Sequence, residues 1–226
     1  MAKASPLRFA AFDLDGTLID SAGSIVDGVL ACWADCGFPE IDPEDARRII
    51  GLPWEASVLS LLPGAGEAEF AKIRSYYDDV RSGKKTRPPI RETAFDGAHD
   101  ILDVLEEQGY LLGLVTSRSG GRLQELLESH NLEKRFLTHK TADMGPGKPN
   151  PHLLLEAMSD LGVDRANTVM IGDTTFDIMM AVNAGVGSVG VSWGVHEVHE
   201  LHDAGAHHVV DGFHELPPIL DTLTGK

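Results

Sequence analysis

Lysine and arginine are scarce in this sequence. Its 226 residues contain 19 of them against 35 aspartates and glutamates, which gives a net charge of −16 at pH 7. A protein that binds nucleic acid needs clustered basic side chains to neutralise the phosphate backbone. The deficit of basic residues therefore argues against nucleic acid as a partner.

Long hydrophobic runs and cysteines are also missing. No stretch approaches the roughly 20 consecutive apolar residues of a membrane span, and the N-terminal segment has no apolar signal core. The two cysteines, Cys32 and Cys36, are four residues apart in a helical pattern, which favours reduced thiols over a redox or metal pair. No GxxxxGK[ST] loop is present, which disfavours an ATP-dependent kinase. We expect a cytoplasmic monomer or homodimer that does not contact membranes.

The sequence does contain a repeated alternation of short apolar runs with segments of helical periodicity. Its composition, 42% hydrophobic and 24% charged, is that of a folded globular protein. The predicted strands are residues 8–12, 111–115, 168–171, 187–191 and 207–210. The predicted helices among and after them are residues 97–108, 122–129, 151–161, 176–183, 197–204 and 214–222. Strands that alternate with helices form βαβ units, so we expect an α/β core with a mostly parallel sheet covered on both faces.

One long segment, residues 18–89, breaks this alternation and contains no convincing strand. Apolar residues between positions 25 and 33 repeat at helical spacing, and Asp42 followed by Pro43 predicts the start of another helix. Two further stretches, 55–62 and 67–80, also have a helical pattern. We therefore predict a core domain formed by residues 1–17 and 90–226 and an all-helical domain formed by residues 18–89.

The first predicted strand runs directly into two carboxylates. In FAAFDLDGTL, Asp13 and Asp15 are two residues apart, and side chains at this spacing in an extended chain point the same way. Gly16 then permits a tight turn with close approach of the backbone to a ligand. Taken alone, the motif has an alternative interpretation as an Asp-rich turn that caps the next helix.

Further polar side chains occur at the ends of other predicted strands. Asp173 and Asp177 follow the strand that ends at residue 171, and Thr116 and Ser117 follow the strand that ends at residue 115. Lys148 lies in GPGKPNP, directly before a predicted helix. Ligands of open α/β sheets bind outside the carboxyl ends of the strands. We expect these carboxylates, hydroxyls and the lysine to converge on one crevice.

Histidine is concentrated towards the C-terminus, with six of the ten histidines between residues 196 and 214. No cysteine or acidic set completes a tetrahedral metal site with them. We interpret these histidines as a surface feature.

The motifs and their order resemble the haloacid dehalogenase superfamily, many members of which are phosphatases that form an aspartyl-phosphate. Its four motifs correspond to DLDGT at residues 13–17, Thr116, Lys148, and GDTTFD at residues 172–177. The helical segment lies where the type 1 cap domain of the family lies. Within the superfamily, the sequence is most similar to phosphoglycolate phosphatases. Four segments carry this similarity: FDLDGTLIDS, KPNPHLLLEAM, NAGVGSVGVSWG and AGAHHVVDGFHEL. The resemblance implies a Rossmann-like core with an inserted helical cap.

The resemblance also implies a Mg²⁺-dependent reaction in which Asp13 is the nucleophile and Asp15 the general acid and base. Asp13, Asp173 and the backbone carbonyl of Asp15 would be oxygen ligands of Mg²⁺, which offsets the repulsion between carboxylate and phosphate. Lys148 would neutralise charge on the phosphoryl group, and Asp177 would hold Lys148 or the waters of the metal. We expect Asp15 to be readily protonated, since like-charge neighbours favour the neutral form.

Hydrogen bonds to the phosphoryl oxygens are expected from the hydroxyl of Thr116 and the amide of Ser117. The substrate-binding candidates are Gly16, Thr17, Ser117, Arg118 and Arg48. Arg48 lies in the helical segment and is a candidate partner for a substrate carboxylate. The alternative for Arg48 is a solvated charge on an amphipathic helix.

The expected function is hydrolysis of a small phosphorylated metabolite, with 2-phosphoglycolate as the leading candidate. Pyrophosphate, a sugar phosphate and phosphoryl transfer to a second sugar hydroxyl, as in phosphoglucomutases, stay open as alternatives. A phosphate-sensing regulatory protein is a non-enzymatic alternative, although Asp13, Asp15, Lys148 and Asp173 are all present. Asp15 favours phosphoester over haloalkanoate chemistry, because a leaving halide needs no proton.

Overall fold

The framework of the protein is a six-stranded parallel sheet, seen in a computed structural model that describes residues 6–225. The strand order is β5-β4-β1-β6-β7-β8. A separate antiparallel ribbon pairs β2 with β3. The strands are β1 (Arg8–Phe12), β2 (Ile19–Asp20), β3 (Thr93–Ala94), β4 (Tyr110–Val115), β5 (Thr138–Lys140), β6 (Thr168–Gly172), β7 (Gly187–Val191) and β8 (His208–Val210). The predicted α/β class with a parallel sheet is confirmed.

Ten α-helices accompany these strands in the described part of the chain. They are α1 (Ala22–Cys36), α2 (Pro43–Arg48), α3 (Trp54–Leu61), α4 (Glu67–Arg81), α5 (Ala98–Glu107), α6 (Gly120–Ser129), α7 (His152–Leu161), α8 (Thr175–Ala184), α9 (Val198–Asp203) and α10 (Leu216–Leu223). Between residues 6 and 225, none of the helices combines the length and apolar character needed to cross a bilayer.

The central strand β1 is buried on both faces, and its alternating side chains serve two hydrophobic layers. Ala10 and Phe12 pack into a layer with α5, α6 and α10, whereas Phe9 and Ala11 pack into the opposite layer with α7 and α8. All four side chains are fully buried. Helices on both faces therefore leave the two ends of the sheet as the places where polar groups from the strands can meet.

Helices α1, α3 and α4 form a second, smaller hydrophobic cluster around Cys32, Trp33, Val58, Ile73 and Tyr76. The Sγ atoms of Cys32 and Cys36 lie 4.0 Å apart as free thiols. The predicted cap of α2 is present, since the side chain of Asp42 accepts a hydrogen bond from the amide of Glu44. We refer to α1–α4 as the cap, whose assignment to a separate domain over residues 18–89 stays a prediction.

Two sheet elements differ from the sequence-based expectation. The expectation that residues 18–89 contain no strand is wrong for β2, which pairs with β3 at the base of the cap. The edge strand β5 was also not predicted. The segments Ile19–Asp20 and Thr138–Lys140 are short and lack the apolar run that identified the equally short β8.

The layer between the sheet and α5 provides a stability test with a matched control. Leu102 is fully buried, whereas Leu137 is 65% exposed. We expect Leu102→Ala to lower the free energy of unfolding by about 2–5 kcal/mol, because it leaves a cavity. Leu137→Ala is expected to change it by less than about 0.5 kcal/mol. Urea unfolding of both variants measures the difference, and equal losses would contradict this account of the core.

Candidate active site

The carboxyl ends of three adjacent strands bring the predicted site residues to one edge of the sheet. Phe12 at the end of β1 is level with Leu114 of β4 and Ile171 of β6. The residues that follow these strands therefore leave the sheet side by side. They include Asp13 after β1, Thr116 after β4 and Asp173 after β6. Lys148 reaches the same edge from the loop before α7.

Three buried carboxylates form the centre of this site. One oxygen from each of Asp13, Asp173 and Asp177 lies within 4.8 Å of the others. Burial is the largest effect on the pKa of Asp13 and raises it. The charge of Lys148 lowers this pKa and the neighbouring carboxylates raise it, so it stays well above its usual value. Burial and the charge of Asp177 raise the pKa of Asp173 to about 7. The site thus concentrates more negative charge than its own side chains offset.

Lys148 is the cation at the centre of the carboxylate group. Its Nζ lies 2.5 Å from Oδ1 of Asp13 and 2.6 Å from Oδ1 of Asp177, and its side chain is only 1% exposed. Burial lowers the pKa of the ammonium, but the two carboxylates outweigh burial and leave that pKa raised. Lys148 is therefore held in its charged form between Asp13 and Asp177.

Asp173 is fixed by two hydrogen bonds from separate loops. Thr17 Oγ1 donates to one carboxylate oxygen at 2.9 Å, and the amide of Val195 donates to the other at 2.9 Å. Gly16 has φ +82°, and a Cβ there would lie 2.2 Å from Asp173 Oδ2. A Cβ on Gly194 would lie 2.1 Å from Asp173 Cβ. Glycine at both positions lets the backbone approach this carboxylate closely.

Asp177 belongs to the first turn of α8 and caps that helix. Its Oδ2 accepts hydrogen bonds from the amide of Thr174 at 3.1 Å and from Thr174 Oγ1 at 2.6 Å. This capping box orients the carboxylate so that Oδ1 faces Lys148. A Cβ on Gly172 would lie 2.3 Å from Asp177 Cγ. The glycine before Asp173 is therefore required for the carboxylates to crowd together.

The carboxylate of Asp15 has surroundings that the sequence did not predict. Arg118 donates from Nε to Oδ2 at 2.7 Å and from Nη2 to Oδ1 at 2.5 Å, and Ser21 Oγ also donates to Oδ1. Burial raises the pKa of Asp15, but the charge and hydrogen bonds of Arg118 outweigh burial, and the pKa is lowered. The expectation of a readily protonated Asp15 is therefore wrong in this structure, because the nearest charge is a cation.

The predicted phosphate-binding residues lie beside this centre. Thr116 is buried, and its Oγ1 accepts a hydrogen bond from the amide of Arg118 at 3.2 Å. Ser117 Oγ donates to the backbone oxygen of Gly51 in the cap at 2.6 Å. Arg118 is engaged with Asp15 and with Glu92, and Thr17 with Asp173. Substrate roles for Gly16, Thr17, Ser117 and Arg118 stay predictions.

Two arginines of α2 connect the cap to the core. Arg47 Nη2 donates to the backbone oxygen of Gly194 at 2.6 Å. Arg48 forms an ion pair with Glu200 of α9, and its side chain is 44% exposed. Arg48 thus contacts a surface carboxylate of α9 and does not reach Asp13 or Lys148. Its substrate role also stays a prediction.

Several residues of the site had no signal in the sequence. His196 is 5% exposed, packs against Phe176 and accepts a hydrogen bond from the amide of Thr175 at its Nδ1. The interpretation of the C-terminal histidines as a surface feature is therefore wrong for His196, whereas the other five are exposed. Burial lowers the pKa of His196, which favours the neutral ring. Glu92 and Val195 were also missed, because their partners are distant in the sequence.

The donor set of this edge fits a divalent cation. The carboxyl groups of Asp13, Asp15, Asp173, Asp177 and Glu92 outnumber the two cations at this edge, Lys148 and Arg118. Three of those carboxylates converge, and they are buried and held by the hydrogen bonds described above. Hard oxygen ligands of this kind are the ones that Mg²⁺ and similar ions prefer. The three converging carboxylates can therefore hold a metal ion.

Comparison with known proteins agrees with this geometry. The family model of haloacid dehalogenase-like hydrolases matches residues 10–191. A Dickeya dadantii protein named "Probable phosphatase IndB" is 38% identical over 91% of this chain and 90% of its own length. A phosphoglycolate phosphatase of Aliivibrio fischeri is 30% identical over 95% of this chain and 96% of its own. A crystal structure from Clostridium acetobutylicum, described as a predicted phosphatase, has a TM-score of 0.82 at 24% identity and covers 98% of this chain and 100% of that one. The chain therefore belongs to the haloacid dehalogenase-like hydrolase family and is a phosphatase of the phosphoglycolate phosphatase-like type.

Proposed function

We propose that the protein is a Mg²⁺-dependent phosphatase that hydrolyses a small phosphomonoester, with 2-phosphoglycolate as the leading substrate. The observation that carries this proposal is the buried contact of Lys148 with Asp13 inside a group of three converging carboxylates. A buried carboxyl group next to a fixed ammonium is suited to attack an anionic phosphorus centre once a bound cation favours its ionised form.

Asp13, Asp173 and the backbone oxygen of Asp15 would hold the metal ion in this proposal, with Asp177 next to them. When bound, a divalent cation supplies positive charge that neutralises the phosphoryl oxygens and the attacking carboxylate. Thr17 and the Val195 amide keep Asp173 in place for this task.

The side chains of the protein divide the reaction into two displacements. A carboxylate oxygen of Asp13 forms a bond to phosphorus while the bond to the leaving alkoxide breaks, and Asp15 gives a proton to that alkoxide. This step requires that Asp15 takes up a proton from solvent before or during substrate binding, because Arg118 lowers its pKa in the free protein. A water molecule then attacks the aspartyl-phosphate, Asp15 accepts the proton of that water, and the carboxylate of Asp13 leaves. Lys148 and Thr116 are positioned at this edge to stabilise charge on the phosphoryl oxygens.

The cap supports a small leaving group in this proposal. Its turn at Gly51–Pro53 approaches the core loops closely, because a Cβ on Gly51 would lie 3.1 Å from Thr174 Oγ1 and a Cβ on Gly147 would lie 3.0 Å from Pro53. The hydroxyl of Ser117 also donates a hydrogen bond to the backbone oxygen of Gly51. Little space is left between the cap turn and the loops that carry Ser117 and Lys148, which favours a metabolite of a few heavy atoms and excludes water during the first displacement.

The nucleophile provides the first test of this function. We expect Asp13→Asn to lower phosphate release from an aryl phosphate by at least about 10⁴-fold, since the amide cannot form the aspartyl-phosphate. Asp100→Asn, an exposed replacement of the same type in α5, should keep activity within about twofold. Normal turnover by Asp13→Asn would exclude the mechanism.

Metal dependence can be measured independently of activity. At about 100 times its Kd, Mg²⁺ should raise the free energy of unfolding by about 2.7 kcal/mol, because it binds only the folded protein. Thermal unfolding with and without Mg²⁺ detects this shift, and Asp173→Asn should remove most of it while Asp100→Asn retains it. Treatment with a chelator should abolish turnover until Mg²⁺ is added back; full activity after chelation would contradict the proposal.

A substrate comparison tests the identity of the ester. We expect kcat/KM for 2-phosphoglycolate to exceed that for pyrophosphate and for hexose phosphates by at least about tenfold, equivalent to 1.4 kcal/mol. Analysis of the products distinguishes release of inorganic phosphate from transfer to a sugar hydroxyl. A higher kcat/KM for another compound would contradict 2-phosphoglycolate as the leading substrate. An absence of turnover across the panel would favour the phosphate-sensing alternative.

A further inference from the structure

The ribbon at the base of the cap places one residue from each linker beside the other. In this ribbon Ile19 pairs with Ala94 and Asp20 with Thr93. The same antiparallel register continued by one residue sets Ser21 opposite Glu92. Ser21 is the last residue before the first cap helix, and Glu92 is the last residue before the chain returns to the core. Both linkers therefore meet at this pair.

Both members of this pair act on Asp15. Ser21 donates a hydrogen bond to Asp15 directly, and Glu92 reaches Asp15 through Arg118. The Nη2 of Arg118 lies 2.9 Å from Glu92 Oε1 and 2.5 Å from Asp15 Oδ1. The side chains of Arg118, Asp15 and Glu92 are only 9%, 12% and 11% exposed. Such pairs are held more firmly than pairs at the surface, because solvent screens them less.

The guanidinium geometry makes this arrangement specific. Arg118 meets both oxygens of Asp15 with two nitrogens, a bidentate contact that fixes the plane of the carboxylate. The Ser21 hydroxyl is a third donor to the same carboxylate. Three donors on two residues thus fix both the position and the orientation of this carboxylate. Lysine could not reproduce this contact, because its ammonium lacks the planar fork.

We propose that Arg118 is a positioning residue that holds Asp15 as the base for the second displacement, and that Glu92 sets the position of Arg118 from the cap linker. This inference rests on the proposed phosphatase function. In the step concerned, the oxygen of water bonds to phosphorus, the bond from phosphorus to Asp13 breaks, and the proton of that water moves to Asp15.

The position of Glu92 links this step to the cap. Its backbone oxygen lies 3.1 Å from Nε2 of His130 at the end of α6, and the next linker residue towards the cap, Arg91, exchanges hydrogen bonds with Ser24 of α1. A movement of the linkers that separates Ser21 from Glu92 would release two of the groups that hold Asp15. The second displacement is therefore expected to be fastest when the linkers are paired as they are here.

The test uses 4-nitrophenyl phosphate, whose leaving group departs without protonation. For this ester kcat/KM reports the first displacement, and kcat falls when the second displacement becomes slow. We expect Arg118→Met to lower kcat by about 100-fold, in line with the contribution of a positioned base, and to change kcat/KM by less than about threefold. A burst of 4-nitrophenolate and an increase in acid-trapped phosphoenzyme should accompany the change.

Arg122→Met is the matched control, since Arg122 lies four residues after Arg118 in the first turn of α6 and its side chain, among the described residues, makes no ion pair or hydrogen bond. It should leave both constants within about twofold. Glu92→Gln should lower kcat by about 3–10-fold with kcat/KM retained, as expected when a hydrogen bond to a charged acceptor becomes one to a neutral acceptor. This variant also carries the test if Arg118→Met does not fold.

Several outcomes would overturn the inference. Unchanged kcat in Arg118→Met, or a parallel loss of kcat and kcat/KM, would assign Arg118 no role or a purely structural one. Unchanged kcat in Glu92→Gln would remove the linker from the proposal. A wild-type protein that releases no phosphate from any ester would contradict the proposed function itself, whatever the variants do.

Discussion

The crowding of carboxylates around Lys148 is the constraint on which the rest of the site depends. Taking an ion out of water costs several kcal/mol, and a buried lysine is tolerated only when partners with good geometry compensate for that cost. Asp13 and Asp177 supply those partners at 2.5 and 2.6 Å. Holding these groups together requires three parallel strands that end level with one another, a capping box on α8 and glycines without a Cβ at the points of closest approach. The fold of the core thus holds Lys148 and its carboxylate partners in one fixed arrangement.

The sequence predicts the part of this scaffold that is local or periodic. The strands β1 and β7 have the predicted bounds, and β4 and β6 differ by one residue, because buried parallel strands appear as continuous apolar runs between helical segments. The carboxyl-end rule then predicts that Asp13, Asp173 and Thr116 leave the sheet at one edge, which is where the structure has them. The short strands β2, β3 and β5 could not be predicted, since their pairing depends on tertiary neighbours and not on an alternating pattern.

Contacts between side chains that are distant along the chain explain the remaining differences. Spacing alone indicates that Asp15 has a negative neighbour two residues away, but Arg118, which is 103 positions distant, reverses the effect on its pKa. His196 shares its sequence segment with exposed histidines, and its packing against Phe176 depends on how the loop after β7 folds back over α8. Local patterns predict which residues reach the edge of the sheet; the pairing of charges at that edge depends on the three-dimensional arrangement of the loops.

The contacts between the cap and the core are weak individually. The hydrogen bonds of Ser117 with Gly51 and of Arg47 with Gly194 contribute about 1 kcal/mol each, and the exposed pair of Arg48 with Glu200 contributes at most about 1 kcal/mol. A small apolar contact between Ile50 and Val195 adds to them. Together these contacts contribute only a few kcal/mol, which is compatible with a minor population in which the cap is separated from the core. In the proposed reaction, substrate would enter and product would leave without disruption of either hydrophobic core.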